Sequence, residues 1–362
     1  MTLPVPDYIA AIEPYVTGKP IEELEREYGI RDSIKLASNE NPLGPSPKAV
    51  QALQNALPEI HRYPDGAGWR LTRLLAEHLG VAPEGIVLGN GSDEIIAMLA
   101  RMCLQPGDEV ILPRPSFLMY EICVRCAGST PVFVDLKGLG MDLAEMGRRI
   151  TDRTRLVFIC NPNNPTGAMT PRKEFDDFMD DLPDGVMVAV DEAYFEFVRS
   201  PDYPDSIAYI KAGRPVVTLR TFSKAYGLAG LRIGYGVTTP EIAALLHRVR
   251  QPFNANLMAQ IGACAALEDS EFLESTRRIT HEGLDYLYGA LDEMGLRYSP
   301  TQANFFLIDV GKDAGEVFEA LLRNGVIVRS MAAYGYPTRI RVNAGKPHEN
   351  ERFIQALKAV LE

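Results

Sequence analysis

Short apolar runs alternate with longer periodic ones through the middle of the chain. Residues 86–135 read GIVLG, SDEIIAMLARMCL, the turn QPGD, then EVILP, SFLMYEICVRCAG and TPVFVDL. A short apolar run bounded by turn residues predicts a buried strand, and apolar positions three and four apart predict a helix. The order strand, helix, strand, helix, strand implies a mostly parallel sheet with right-handed crossovers. The rhythm continues in RLVFIC (155–160), VMVAV (186–190), VVTLR (216–220) and RIGYGV (232–237), which are apolar on both faces and so read as further buried strands. Beyond about residue 240 the pattern turns helical, with a long helix around 271–295. NFFLIDV, AGEVFEALLRNG, VIVRSM, TRIRVNAG and a last helix HENERFIQALKAVLE then form a smaller α+β segment. The expected class is α/β. An N-terminal arm with part of the small domain occupies 1–50, a large sheet domain 51–255, and a small C-terminal α+β domain 256–362.

Composition narrows what such a molecule does. At 362 residues, with 46 % hydrophobic and 23 % charged side chains, the chain can bury a large core and fits about two domains. A net charge of −11 repels nucleic acid and anionic lipid, which disfavours a scaffold role on either. No stretch reaches the ~18 apolar residues of a spanning helix, and MTLPVPDYIAAIEPYV has no basic region followed by an apolar run, so a cytoplasmic location is expected. Five cysteines are an odd number for a disulfide framework, and Cys103, Cys123, Cys160 and Cys264 lie in apolar surroundings that predict reduced, buried thiols. Cys123 and Cys126 form a C-x-x-C without a second ligand pair, a spacing that also suits packing on one helix face. His61, His78, His247, His281 and His348 are scattered, so no metal is expected.

Parallel α/β sheets bind ligands beyond the carboxyl ends of their strands, and four loops there are unusual. VLGNGSDEII is a glycine turn into a helix, where free N–H groups and the helix dipole favour an anion. Gly89 and Gly91 make G-x-G, but Glu94 stands where a dinucleotide fingerprint needs its third glycine; the other reading is a plain turn capped by Ser92. CNPNNPTG is dense in Asn, Pro and Gly directly after a buried strand, denser than a surface turn needs. In VAVDEAYFEF, Asp191 ends an apolar run, where a carboxylate needs a cationic or proton-donating partner unless it is a simple cap. In LRTFSKAYGLAGLRIGYG, Lys224 sits among hydroxyls and small residues; it is either a solvated surface lysine or an amine that loses its proton easily and attacks carbonyls. A lysine amine, a phosphate cradle and an acid for a pyridine nitrogen are together what pyridoxal phosphate requires.

The run SKAYGLAGLRIG, with NPNNPTG and DEAY before it, resembles the fold type I pyridoxal-phosphate aminotransferases over essentially the whole chain. SNENPLGPSP, RYPD at 62–65, GNGSDE and RIRVNAG resemble the branch of that family that acts on histidinol phosphate. The resemblance implies that Lys224 joins pyridoxal 5'-phosphate through its amine and then moves a proton between substrate and cofactor. Asp191 would pair with the pyridine nitrogen, and Asn164 and Tyr194 with the ring's phenolic oxygen. Gly91, Ser92 and Asp93 would hold the phosphate by backbone amides, completed by Thr221, Ser223 and Arg232. Phe117 takes the ring-stacking place; with Ser116 it departs from the tyrosine and threonine more usual there. Tyr63 would reach the phosphate in a neighbouring subunit, which implies a homodimer with shared sites; otherwise it is a turn aromatic. Arg341 and Arg329 would bind the substrate anion, surface salt bridges being the alternative, and Tyr15 and Asn39 would line the pocket.

The implied reaction is ping-pong transamination in histidine biosynthesis, between L-histidinol phosphate and 2-oxoglutarate, giving imidazole acetol phosphate and glutamate. Two arginines on one anion suit a dianionic phosphate better than a carboxylate. The same pattern also serves an aromatic amino-acid aminotransferase. Related folds include a decarboxylase of a phosphorylated amino acid. A regulator built on the fold would need a basic DNA-binding domain that this acidic sequence lacks.

Overall fold

The computed structural model describes residues 4–15 and 18–362. The first strand, β1 (Ile34–Lys35), stands apart from the large sheet, which contains β2 (Ile86–Gly89), β3 (Glu109–Arg114), β4 (Thr130–Asp135), β5 (Thr154–Cys160), β6 (Met187–Asp191), β7 (Val216–Thr221) and β8 (Gly234–Val237). These seven lie in the order β2-β8-β7-β6-β5-β3-β4. Neighbours from β4 through to β7 are parallel, as the alternating pattern predicts, and β8 alone runs antiparallel to both β2 and β7. This reversal brings the beginning of β8 to the edge where β2, β6 and β7 end.

Both faces of the sheet are covered, which explains why its strands are apolar throughout rather than alternating. Val157, Ile159, Val188, Val190 and Val216 point into one core with the helices Trp69–Leu79, Arg172–Asp180 and Leu257–Leu267. Leu156, Phe158, Ala189, Val217 and Leu219 point into the other, against the helices Ser92–Cys103 and Leu118–Cys126. Cys123 and Cys126 both lie on that last helix, one buried and one exposed; all five cysteines are free thiols, and Cys103, expected buried, is half-buried because it ends the helix Ser92–Cys103.

The remaining strands are β9 (Arg297–Ser299), β10 (Phe305–Asp309), β11 (Val326–Ile327), β12 (Arg329–Ser330) and β13 (Arg339–Asn343). Four of them form an antiparallel sheet in the order β12-β13-β10-β9, while β11 pairs in parallel with β1. VIVRSM is therefore two strands rather than the single expected one, because residues before Val328 pair with β1 and those after it with β13. A separate core of Leu284, Leu287, Leu291, Phe306, Val342 and Phe353 packs this sheet on the helices Ser270–Glu293 and Pro347–Leu361, and Ile34 and Leu36 join it from the arm. The helix Leu257–Leu267 contributes Ala259, Ala263 and Cys264 to the large-sheet core. We propose on that ground that the large domain runs to Leu267 rather than to residue 255.

Candidate active site

A cavity of about 190 Å³ opens where β2, β5, β6 and β7 end and β8 begins, roofed by residues 37–39 and by Arg329 and Arg341 of the small sheet. Lys224 lies in it, three residues past the end of β7. Its Nζ donates to the Ser38 carbonyl at 3.1 Å. Burial, and then the Arg341 charge, lower the amine to about 8. A sizeable neutral fraction near pH 8 makes it a nucleophile toward a carbonyl, not a solvated lysine.

One end of the cavity is built for an anion. Gly91, at φ +78°, occupies the cap position of the helix Ser92–Cys103, and no side chain caps it, so the expectation of a Ser92 cap does not hold. Ser92 is instead the first helical residue, and the first N–H groups of a helix have no partner within it. Gly234, paired to Gly89 on one side and Thr221 on the other, backs directly onto this turn. A Cβ on Gly234 would stand 2.4 Å from the Ser92 amide nitrogen, and one on Gly91 would stand 2.6 Å from Arg232 Nη2. Thr221, Ser223 and Arg232 line the same end. Arg232 donates to Ser223 Oγ at 3.4 Å and pairs with Asp93 Oδ2 at 3.4 Å. It holds φ +55°, a left-handed conformation that costs about 1–2 kcal/mol for a residue with a side chain. Glu94, which breaks the dinucleotide fingerprint, has a positioning part: its Oε2 accepts from the Asn90 amide at 2.7 Å and from Asn254 Nδ2 at 2.6 Å, pinning the turn.

At the other end Asp191 closes β6, aligned with Cys160 of β5. It is 4 % exposed and has no cationic partner among the described residues; Tyr120 Oη donates to its Oδ2 at 2.6 Å and the Ala193 amide to its Oδ1 at 3.1 Å. Burial pushes its carboxyl up to about 6, although both donors pull the other way. The next residue, Glu192, forms a buried ion pair with Arg220 at 2.8 Å and accepts from Ser206 Oγ at 2.6 Å, so the strand end is anchored from behind. Asn39 Nδ2 donates to Tyr194 Oη at 3.0 Å and Asn164 Nδ2 does so at 3.4 Å. Burial raises the Tyr194 phenol, while Arg341 and Asn39 oppose the shift. Phe117 lines the cavity and meets Tyr120 edge-on at 5.5 Å; Ser116 turns away from it, donating to Asn163 Oδ1 at 2.8 Å.

The substrate side carries two arginines. Arg329 of β12 and Arg341 of β13 are directly opposite one another in the antiparallel register, which puts their side chains on one face, and both line the cavity. Arg341 is 9 % exposed and held by neutral acceptors, Asn164 Oδ1 at 2.6 Å and the Ala37 carbonyl at 2.9 Å. Its Nε–H is buried without a hydrogen-bond partner among the described residues, as is Asn39 Oδ1. A surface salt bridge is thereby excluded for Arg341. Tyr15 and Tyr334 complete the mouth, the latter absent from the residues expected from sequence. Two expected residues are not in the lining: Gly91 lies just behind it, next to Ser92, while Tyr63 is 81 % exposed and stacks on Phe253 with ring centroids 4.8 Å apart.

The model of the family "aminotransferase class I and II" matches residues 31–357. The chain belongs to this family. Among curated aminotransferases it is 51 % identical to a histidinol-phosphate aminotransferase of Moorella thermoacetica, covering 98 % of this chain and 92 % of that one. It is 47 % identical to histidinol-phosphate aminotransferase 2 of Pseudomonas fluorescens, covering 98 % and 96 %. In structure it is similar to the histidinol-phosphate aminotransferase of Sinorhizobium meliloti in complex with pyridoxal-5'-phosphate, with a TM-score of 0.91 and 28 % identity over 100 % of this chain and 98 % of that chain. The residues that line the cavity fit such a group. It offers a reactive amine, a turn cleared of side chains for a phosphate, a buried carboxylate with no cation, and two amides around a phenol.

Proposed function

We propose that this chain binds pyridoxal 5'-phosphate on Lys224 and transfers an amino group from L-histidinol phosphate to 2-oxoglutarate, a step of histidine biosynthesis. The observation that carries the substrate choice is the opposed pair Arg329 and Arg341 above Lys224. Like charges directly across a sheet repel, and a shared dianion turns that repulsion into binding. The names of the relatives at 47–51 % identity support the same reading.

When bound, pyridoxal phosphate withdraws electrons from the carbon bearing the amino group, which lets that carbon give up a proton. Lys224 holds the cofactor at rest and, once its amine is released, carries that proton. Asp191 keeps a proton on the ring nitrogen by its negative charge, and Asn164 with Tyr194 holds the phenolic oxygen. The amides of Gly91, Ser92 and Asp93, with Thr221, Ser223 and Arg232, hold the phosphate. Phe117 stacks on the ring, Arg341 and Arg329 bind the substrate anion, and Tyr15 and Asn39 shape the space between them.

Our reading includes a homodimer in which Tyr63 serves the partner's site. Its exposure, together with that of Leu57, Ile60, Trp69 and its stacking partner Phe253, supports this. It also places the enzyme in the cytoplasm, where five unpaired thiols stay reduced.

The test is an amino-donor screen with 2-oxoglutarate on wild type and Arg329→Ala. Histidinol phosphate should be the best donor. The variant should lose about 1.5–3 kcal/mol of kcat/KM on it, roughly 10- to 150-fold, and little on phenylalanine. Equal losses on both donors would favour an aromatic amino-acid enzyme, and carbon dioxide released without 2-oxoglutarate would favour a decarboxylase.

A further inference from the structure

Tyr120 is not among the residues the sequence picks out, yet it makes the shortest contact to the acid of the site. Its hydroxyl reaches Asp191 Oδ2 at 2.6 Å, and its ring is 1 % exposed. The ring is clamped, stacked on Phe158 at 4.5 Å and 13° on one side and meeting Phe117 edge-on at 5.5 Å on the other. Tyr120 lies on the first turn of the helix Leu118–Cys126, behind the cavity wall and not in its lining, so substrate does not touch it. Two rigid neighbours and one short bond fix where the carboxylate sits and which of its oxygens stays free of the phenol.

We infer that Tyr120 is a positioning residue whose hydroxyl holds Asp191 in its ionised form, so that the proton between that carboxylate and the cofactor's ring nitrogen stays on the nitrogen. This rests on the proposed function, in which Asp191 faces the nitrogen. A hydrogen bond donated to a carboxylate stabilises the anion and lowers its hold on a further proton. Without it, Asp191 in its dry surroundings competes better for the shared proton, and the ring loses electron-withdrawing power. The bond therefore acts on the chemistry through Asp191, while the ring of Tyr120 supports Phe117.

Tyr120→Phe removes the oxygen and keeps both ring contacts, so the fold is preserved. With cofactor labelled by nitrogen-15 in its ring, the nitrogen chemical shift should report a protonated ring in wild type and move toward the neutral value in Tyr120→Phe. The dissociation constant of the cofactor should rise, and kcat should fall about 10- to 100-fold with the KM for the amino donor nearly unchanged. In an Asp191→Asn background the same substitution should cost nothing further in kcat, which a merely structural role would not predict. A nitrogen shift identical in wild type and Tyr120→Phe overturns the inference alone. A neutral ring nitrogen in wild type overturns the inference together with the role given to Asp191.

Discussion

Asp191 has a cost to the empty protein. Its carboxyl is raised to about 6 by burial, from an ordinary value of 3.8. Between those values the folded chain keeps a proton that the unfolded chain has released, so stability falls as pH rises through that window. The penalty is absent below about pH 4 and complete above about pH 6, where it reaches up to about 3 kcal/mol. Asp191→Asn should therefore stabilise the cofactor-free protein toward urea at pH 7.5 and leave it unchanged at pH 4. Binding the cofactor should reverse the ranking at pH 7.5, since wild type gains more from a ligand it holds tighter. Equal unfolding midpoints of the two cofactor-free proteins at pH 7.5 would show that the burial does not disfavour the charge.

At the scale of elements, the site is assembled by how strands end. The motifs GNGSDE, CNPNNPTG, DEAY and TFSK were legible in the sequence because each follows an apolar run, and the parallel order places all four at one edge. The reversal of β8 was not legible, since RIGYGV reads as a buried strand in either direction; only pairing with β2 and β7 brings Arg232 and Gly234 to that edge. Tyr120 was hidden for a different reason. It is an aromatic residue on the apolar face of a helix, and only its distance to Asp191 tells it from core. The shared face of Arg329 and Arg341 likewise depends on the register between two separate strands, which periodicity does not fix. The strand reversal predicts a specific sensitivity. Gly234→Ala drives a Cβ into the Ser92 amide and within 3.0 Å of the Arg220 carbonyl, both backbone atoms that cannot step aside. Gly236→Ala, two residues on, meets only side-chain carbons of Ile95 and Val217, at 3.3 Å and beyond. The first should weaken binding of pyridoxal phosphate by more than tenfold, the loss of one charged hydrogen bond, and binding of unphosphorylated pyridoxal far less. The second should change neither, as equilibrium titration of the cofactor-free variants would show.

Beyond the site, several large apolar side chains stand exposed to solvent. An acidic chain of net charge −11 carries Leu57, Ile60, Tyr63, Trp69 and Phe253 with 45–65 % exposure, and 81 % for Tyr63. Tyr63 and Phe253 stack on one another, and a two-fold axis beside them would present the same residues from each copy to the other. If Tyr63 of each copy completes the site that holds the partner's Lys224, the two residues belong to different chains of one site. Lys224→Ala protein has no reactive amine, and Tyr63→Ala protein lacks the completing phenol in every site, so each alone should be nearly inactive. Mixed in equal amounts and allowed to exchange subunits, half the dimers are hybrids. In each hybrid one site has lost both residues, and the other has its lysine from one chain and its tyrosine from the other, intact. Activity should then return to about one quarter of the wild-type level, the share of intact sites that random pairing gives. If Tyr63 served its own chain's site, each hybrid would carry one site lacking the lysine and one lacking the tyrosine, and mixing would restore nothing. The rate measured before and after exchange decides between the two arrangements.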